Sequence, residues 1–291
     1  MSDAAPRSSE PQLSLIVCTR DRAERLDAFF EAIGRQRASV PWELVIVDNG
    51  STDDTPARLA VLARAASVPT TIVQEPRPGL GRARNAGVRR SRGALLAFTD
   101  DDCYPAADYV DQIVGAFLGS ALDFLGGRIL LHDEGDHPIT IRVDTVPIPI
   151  PARSVVPTGL IQGANMAFRR TVLDRIGGFD DALGPGTPFC NDDIDAVARA
   201  SAAGFTGSFV PEPVVLHHHG RRDPAAVEAL WRTYDRGRGA YYAKCILDLP
   251  TRGRFARYWW QSVGVEKPGA TMREIEGALD YVLRRLTRRL G

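Results

Sequence analysis

Four short apolar runs in the first third of the chain, Leu13–Cys18 (LSLIVC), Glu43–Val47 (ELVIV), Thr70–Val73 and Leu95–Phe98, alternate with segments of helical spacing, and that alternation limits the fold most. Between the first two runs, Leu26, Phe29, Phe30 and Ile33 form a stripe within a helix expected over Ala23–Gln36. After the second run, Thr52 or Asp53 can cap a helix reaching about Ala66, and Leu80–Arg90 reads as the next. Strand followed by helix, repeated, predicts an α/β fold whose parallel sheet is built by right-handed crossovers. Ligands in such sheets bind beyond the carboxyl ends of the strands. Thr19-Arg20, Asp48-Asn49 and Asp100-Asp101-Asp102 are therefore expected along one edge.

The last of these strand ends is the most telling. Leu95–Phe98 stops at three consecutive aspartates, which repel one another unless something neutralises them. Asp100 and Asp102 offer hard oxygen ligands of the kind Mg²⁺ or Mn²⁺ accepts, with phosphate oxygens completing the shell. The competing readings are a solvated acidic turn, or Asp102 capping a helix that starts near Pro105.

Beyond a helix expected over Ala106–Leu118, the pattern changes. Asp123–Leu131 reads as a strand interrupted at Gly126-Gly127, and residues 132–157 carry five prolines and no helical period, as an irregular excursion would. Gly163–Phe168 looks extended, and a helix over Arg170–Ile176 should stop at Gly177-Gly178. Gly184–Pro188 must be a loop, Ile194–Ala203 a helix and Gly207–Leu216 a strand. Three helices are expected after that, over Ala225–Lys244, Gly253–Ser262 and Thr271–Arg289.

A formal net charge of zero argues against bulk electrostatic binding to nucleic acid. No apolar run approaches the ~20 residues of a membrane span. The polar start, MSDAAPRSSEPQ, has no secretory core segment, so residues 1–11 read as a disordered lead-in. Cys18, Cys103, Cys190 and Cys245 are scattered, as in a protein with reduced thiols. These features together point to the cytoplasm. From Pro250 onward nine cationic residues face four acidic ones, a net of +5, with Tyr258-Trp259-Trp260 among them. Such a segment can lie on an anionic membrane surface, or its tryptophans can simply pack on the rest of the protein.

Several pieces in order resemble family 2 glycosyltransferases, which have the GT-A fold, a Rossmann-like and mostly parallel sheet flanked by helices. They are SLIVCTRDR, ELVIVDNGSTDDT, GLGRARNAGVRRSRGALLAFTDDDCYP, GANMAFRRTVLDRIGGFDDAL and NDDIDAVARASAAGF. The resemblance covers residues 12–220, leaving 221–291 as a helical C-terminal extension that would form the acceptor side or touch a membrane. It implies an inverting, metal-dependent hexosyltransferase. Such an enzyme would move a sugar from a nucleoside diphosphate, UDP-sugar first, to a glycan or lipid-linked acceptor in cell-surface polysaccharide synthesis.

Residue by residue, the resemblance makes Asp100 and Asp102 the Asp-x-Asp pair that holds Mn²⁺ or Mg²⁺ and the donor diphosphate, with Asp101 a hydrogen-bonding neighbour. It puts Asp48 on the nucleotide base, with Thr19 and Arg20 beside base and ribose. Arg84 would approach base or phosphate, or else lie on the surface of its helix. The general base would be Asp193, with Asp192 next to it as the alternative and helix capping as a second role for either, while Asp195 would hold the loop through backbone N–H groups. His217 and His219 can share a face, so either can complete the metal site, and Arg221-Arg222 could close over the diphosphate. GLGRARNAG also resembles a dinucleotide-binding loop, but the strand it follows is short. Two other classes compete: a homologue that binds nucleotide-sugar without transfer, and a sugar nucleotidyltransferase. The latter would want a glycine-rich loop where this chain has CTRDRAERL.

Overall fold

The computed structural model describes residues 10–263 and 269–289. Most of the expected lead-in, residues 1–9, lies outside the described residues, as do Glu266 and Lys267 of the C-terminal charge count.

Strand β1 (Leu13–Thr19) pairs in parallel with β2 (Trp42–Asp48), and helix α1 (Leu26–Gly34) connects them. Helix α2 (Thr55–Ala65) leads to β3 (Thr70–Gln74), and α3 (Leu80–Arg90) leads to β4 (Leu95–Asp100), which pairs in parallel with the other side of β1. The register sets Thr19 opposite Asp48 and Cys18 opposite Asp100, so the three polar strand ends do gather at one edge. β1 shows no apolar–polar alternation because both of its faces are covered. Leu13, Leu15 and Val17 join α1 and the helix over Tyr109–Leu118 in one core, whereas Ile16 joins Leu96, Phe98 and Phe168 in another.

The second half is not a continuation of the parallel pattern. Short β5 (Cys103–Pro105) and α4 (Tyr109–Leu118) precede β6 (Phe124–Leu131), and the prolyl excursion contributes only β7 (Ile148–Ile150). β8 (Met166–Arg169) enters between β4 and β6, antiparallel to both, because the excursion and not a crossover helix delivers it. With α5 (Arg170–Ile176), α6 (Asp192–Ala202) and β9 (Gly207–His217) the sheet is complete, in the order β3-β2-β1-β4-β8-β6-β9-β5, with β7 also on β9. The Gly126-Gly127 interruption is a register shift: a Cβ on Gly127 would meet Asn165 and the Pro213 carbonyl at 2.4 and 2.5 Å.

Three helices follow, α7 (Pro224–Asp248), α8 (Arg252–Ser262) and α9 (Ala270–Arg289). Asp223 caps α7 by accepting from the N–H groups of Ala225 and Ala226. α7 and α8 dock on α6, where Ala198 and Ala202 meet Tyr241, Tyr242, Cys245 and Phe255. α9 lies so close on α7 that a Cβ on Gly239 or Gly277 would strike the opposing backbone carbonyl, at 1.8 and 2.0 Å. No helix among the described residues is long and apolar enough to cross a membrane.

Candidate active site

At the carboxyl edge the three aspartates have three different surroundings. Asp100 closes β4 at the mouth of a cavity of about 430 Å³. Asp101 is buried and accepts from the Thr19 hydroxyl at 2.5 Å, and its burial pushes the carboxyl up to about 6. It is thus a structural tie from β4 to β1. Asp102 turns the other way, to His217 Nε2 at 3.5 Å and Arg22 at 3.9 Å. Burial alone would raise Asp102, but hydrogen bonding and the charge of His217 outweigh it and hold the carboxyl below its usual range.

Asp102, Cys103 and His217 bring one donor atom each within 4.8 Å of one another, all buried. A carboxylate oxygen and an imidazole nitrogen suit Mn²⁺ or Mg²⁺ as partial ligands. Mn²⁺ and Mg²⁺ prefer oxygen and imidazole donors to a soft sulfur, which leaves Asp102 and His217 as the ligands that fit. Asp100 and His219 stand outside this group. His219 does share a side with His217, the rings 4.9 Å apart, but its Nδ1 accepts from the Arg221 N–H and faces buried Asp136. Arg222 is tied to Asp133 and Asp136 and so is held to the excursion instead of swinging over the edge.

Asp48 accepts from the Ser51 N–H through Oδ1, and its Oδ2 is buried with no partner. A buried carboxylate oxygen without a donor is costly unless a ligand supplies one. Arg20 is exposed and paired with Asp21 at 3.4 Å, at the open side of the same strand end.

Arg84 is not the surface arginine that its place on a polar helix allows. It is buried, its Nη1 donates to Asp192 at 2.5 Å, and its Nη2 lies 3.7 Å from Asp100. It therefore bridges the two acidic clusters. Gly163 leaves room for it, since a Cβ there would come within 2.3 Å of the guanidinium. Burial raises Asp192 to about 6 against the pull of Arg84.

α6 starts at Asp192, two residues earlier than its apolar pattern indicates, with Asn191 at φ +82° before it and no side-chain cap. Adjacent positions on a helix point about 100° apart. Asp192 is consequently committed to Arg84, whereas Asp193 is half-buried in the cavity wall, with Oδ2 accepting from the Gly163 N–H at 2.6 Å. Asp195 does not hold the loop through backbone N–H groups. It lies buried between Lys244 at 2.6 Å and Arg199 at 2.7 Å, which ties α6 to α7.

Asp100, Arg84, Asp192 and Asp193 all line the one cavity, opposite Trp231, Tyr234 and Arg238 of α7 and Thr140–Arg142 of the excursion. The α7 residues carry no motif, and only the fold brings them to Asp193. A carboxylate in this wall can take a proton from a hydroxyl beside it, and the bridge through Arg84 holds it at a fixed distance from the edge that carries Asp102.

Residues 14–177 match the family model described as glycosyl transferase family 2. The chain is 25% identical over 260 residues to glycosyltransferase AglE of Haloferax volcanii, covering 88% of this chain and 82% of that protein. In two further curated relatives the match spans 30% and 27% of their length. Among solved structures, mannosyltransferase PcManGT from Pyrobaculum calidifontis in complex with GDP-Man and Mn²⁺ superposes with a TM-score of 0.63 at 20% identity, over 96% of this chain and 83% of that one. S. aureus TarS 1-349 in complex with UDP-GlcNAc gives 0.64 at 14% identity, over 93% and 81%. At these identities the structural likeness speaks to the fold.

Proposed function

The chain belongs to glycosyl transferase family 2 and has the GT-A fold, and from that premise we propose that it is an inverting hexosyltransferase using a nucleoside-diphosphate sugar, UDP-sugar first. The acceptor is a hydroxyl of a glycan or lipid-linked molecule of cell-surface polysaccharide synthesis. One observation carries this reading: Asp100 of the first acidic cluster and Asp193 of the second line a single cavity, and Arg84 joins the two clusters through Asp100 and Asp192.

Asp48 receives an N–H of the nucleotide base on its unpartnered Oδ2, with Thr19 and Arg20 at the same strand end beside base and ribose. Asp100 faces the donor diphosphate and sugar, while Asp102 and His217 would hold Mn²⁺ or Mg²⁺. When bound, that cation acts as a Lewis acid on the leaving diphosphate. Asp193 accepts the acceptor hydroxyl's proton, and its hydrogen bond from Gly163 fixes the carboxylate while the reaction proceeds. Asp192 keeps Arg84 in place and is not the base. A single displacement with a single base inverts the anomeric carbon.

Titration of UDP and GDP, each with and without Mn²⁺, followed by thermal unfolding, tests the donor side. Stabilisation by one diphosphate that grows with Mn²⁺ and vanishes in Asp102→Ala is expected. Absence of stabilisation by either nucleotide refutes the reading. Binding without turnover of any donor sugar favours a nucleotide-sugar-binding homologue instead.

A further inference from the structure

α9 buries Ala270, Glu274, Ala278 and Tyr281, and turns a second apolar stripe to solvent. Met272, Ile275, Leu279, Leu283 and Leu286 are exposed to 62%, 41%, 59%, 62% and 53%. Their spacing of three or four residues puts them on one side of the helix along its length. α8 meets α9 where the Trp259 indole N–H donates to Glu274 Oε2 at 2.7 Å. Trp259 packs inward on the cluster of Ala240, Ala278 and Tyr281, whereas its neighbour Trp260 is 79% exposed, and Val263 is exposed too. Single exposed apolar residues are ordinary, but a continuous stripe along one helix marks a surface that meets something apolar.

We propose that α8 and α9 form a docking surface for an anionic lipid bilayer, with α9 lying in the plane of the interface. Charge decides between a bilayer and a second copy. α8 carries Arg252, Arg254 and Arg257 and no acidic residue, a net of +3 in a chain whose total is zero, whereas on α9 Arg273 and Arg285 are paired with Asp235 and Asp248 of α7 and Arg284 with Asp280. Arg252, Arg254 and Arg257 are exposed on α8 just before Trp260. An isologous dimer through this stripe would set two such basic surfaces against each other, whereas anionic headgroups neutralise them. Apolar side chains of α9 sunk beneath the headgroups, with the arginines and the tryptophan of α8 at headgroup level, are the arrangement of interfacial helices.

The surface also orients the cavity. α9 is locked to α7 at Gly239 and Gly277, and α7 supplies Trp231 and Tyr234 to the cavity wall. The bilayer therefore holds the side of the cavity that a lipid-linked acceptor would enter, an extension that rests on the function proposed above.

The test uses the full chain and vesicles of phosphatidylcholine, with or without phosphatidylglycerol, in a sedimentation assay. Binding to the anionic vesicles is expected to be at least about tenfold tighter and to weaken with added salt. Leu279→Glu combined with Leu283→Glu, at two exposed positions, should abolish it while leaving the unfolding temperature and nucleotide stabilisation as in the parent. Arg252→Glu with Arg257→Glu should weaken it with the apolar stripe intact. Equal binding to both vesicle types, or unchanged binding by the leucine variant, overturns the proposal. So does a concentration-dependent dimer in light scattering that the leucine variant splits, which would make the stripe a seam between copies. The assay contains no nucleotide or sugar, so it can fail while the transferase reading stands, and the nucleotide titration can fail while this one stands.

Discussion

Lys244→Met probes the joint between the acidic helix and the C-terminal helices. Lys244 Nζ lies 2.6 Å from Asp180 Oδ2 and 2.6 Å from Asp195 Oδ1, with only 7% of the side chain exposed. Methionine fills a similar volume and leaves both carboxylates without the ammonium. Removing one partner of a buried ion pair costs about 3–5 kcal/mol, because the remaining charge stays desolvated. Asp195 keeps Arg199 and Asp180 is 27% exposed, which points to the lower end, about 3 kcal/mol. For a chain of this size that corresponds to roughly 6–9 °C in unfolding temperature. Burial alone would raise Asp180, but Lys244 and the Ala182 N–H outweigh it and hold the carboxyl below its usual range. Burial alone would lower Lys244, but Asp195 and Asp180 outweigh it and hold the amine above its usual range. A depressed carboxylate contributes stability that is lost as pH falls through its folded pKa, and a raised amine contributes stability that is lost as pH rises through its own. The gap between parent and variant should therefore be flat through neutral pH and close at both the acid and the alkaline extremes. Urea unfolding across pH measures it. A gap below about 1 kcal/mol at neutral pH, or one that widens in acid, would refute the reasoning.

Gly277→Ala should destabilise by about 2 kcal/mol or more, measured in the same way, since the new Cβ would lie 2.0 Å from the Arg236 carbonyl and neither backbone can yield easily. Asp48→Ala should weaken UDP binding by at least about tenfold in calorimetry, the worth of a charged hydrogen bond to the base, without lowering the unfolding temperature of the free protein by more than a few degrees.

The first half of the fold was legible because its helices and strands are local: α3 begins and ends where the pattern puts it, and β1 and β2 differ from it by a residue or so. β5 was not legible, because three residues after the aspartates become a strand only where the end of β9 runs past them. β8's reversed direction likewise depends on where the excursion returns. Within the site, the gathering of Asp48, Thr19 and Asp100 followed from strand order alone. The division of labour between Asp192 and Asp193 did not, because it depends on Arg84, which is more than a hundred residues away in the chain and invisible as a partner in any motif. The role of Asp195 was misread for the same reason: its ammonium partner belongs to a helix outside the resembling region.

The central claim is that Asp193 takes the proton while other carboxylates hold the donor. Turnover of donor by Asp193→Asn, scored as release of nucleoside diphosphate beside a binding titration of the same sample, tests it most directly. The account predicts nucleotide affinity as in the parent and turnover lower by at least about a hundredfold, the usual contribution of a positioned base. Turnover at the parental rate with affinity unchanged would contradict it.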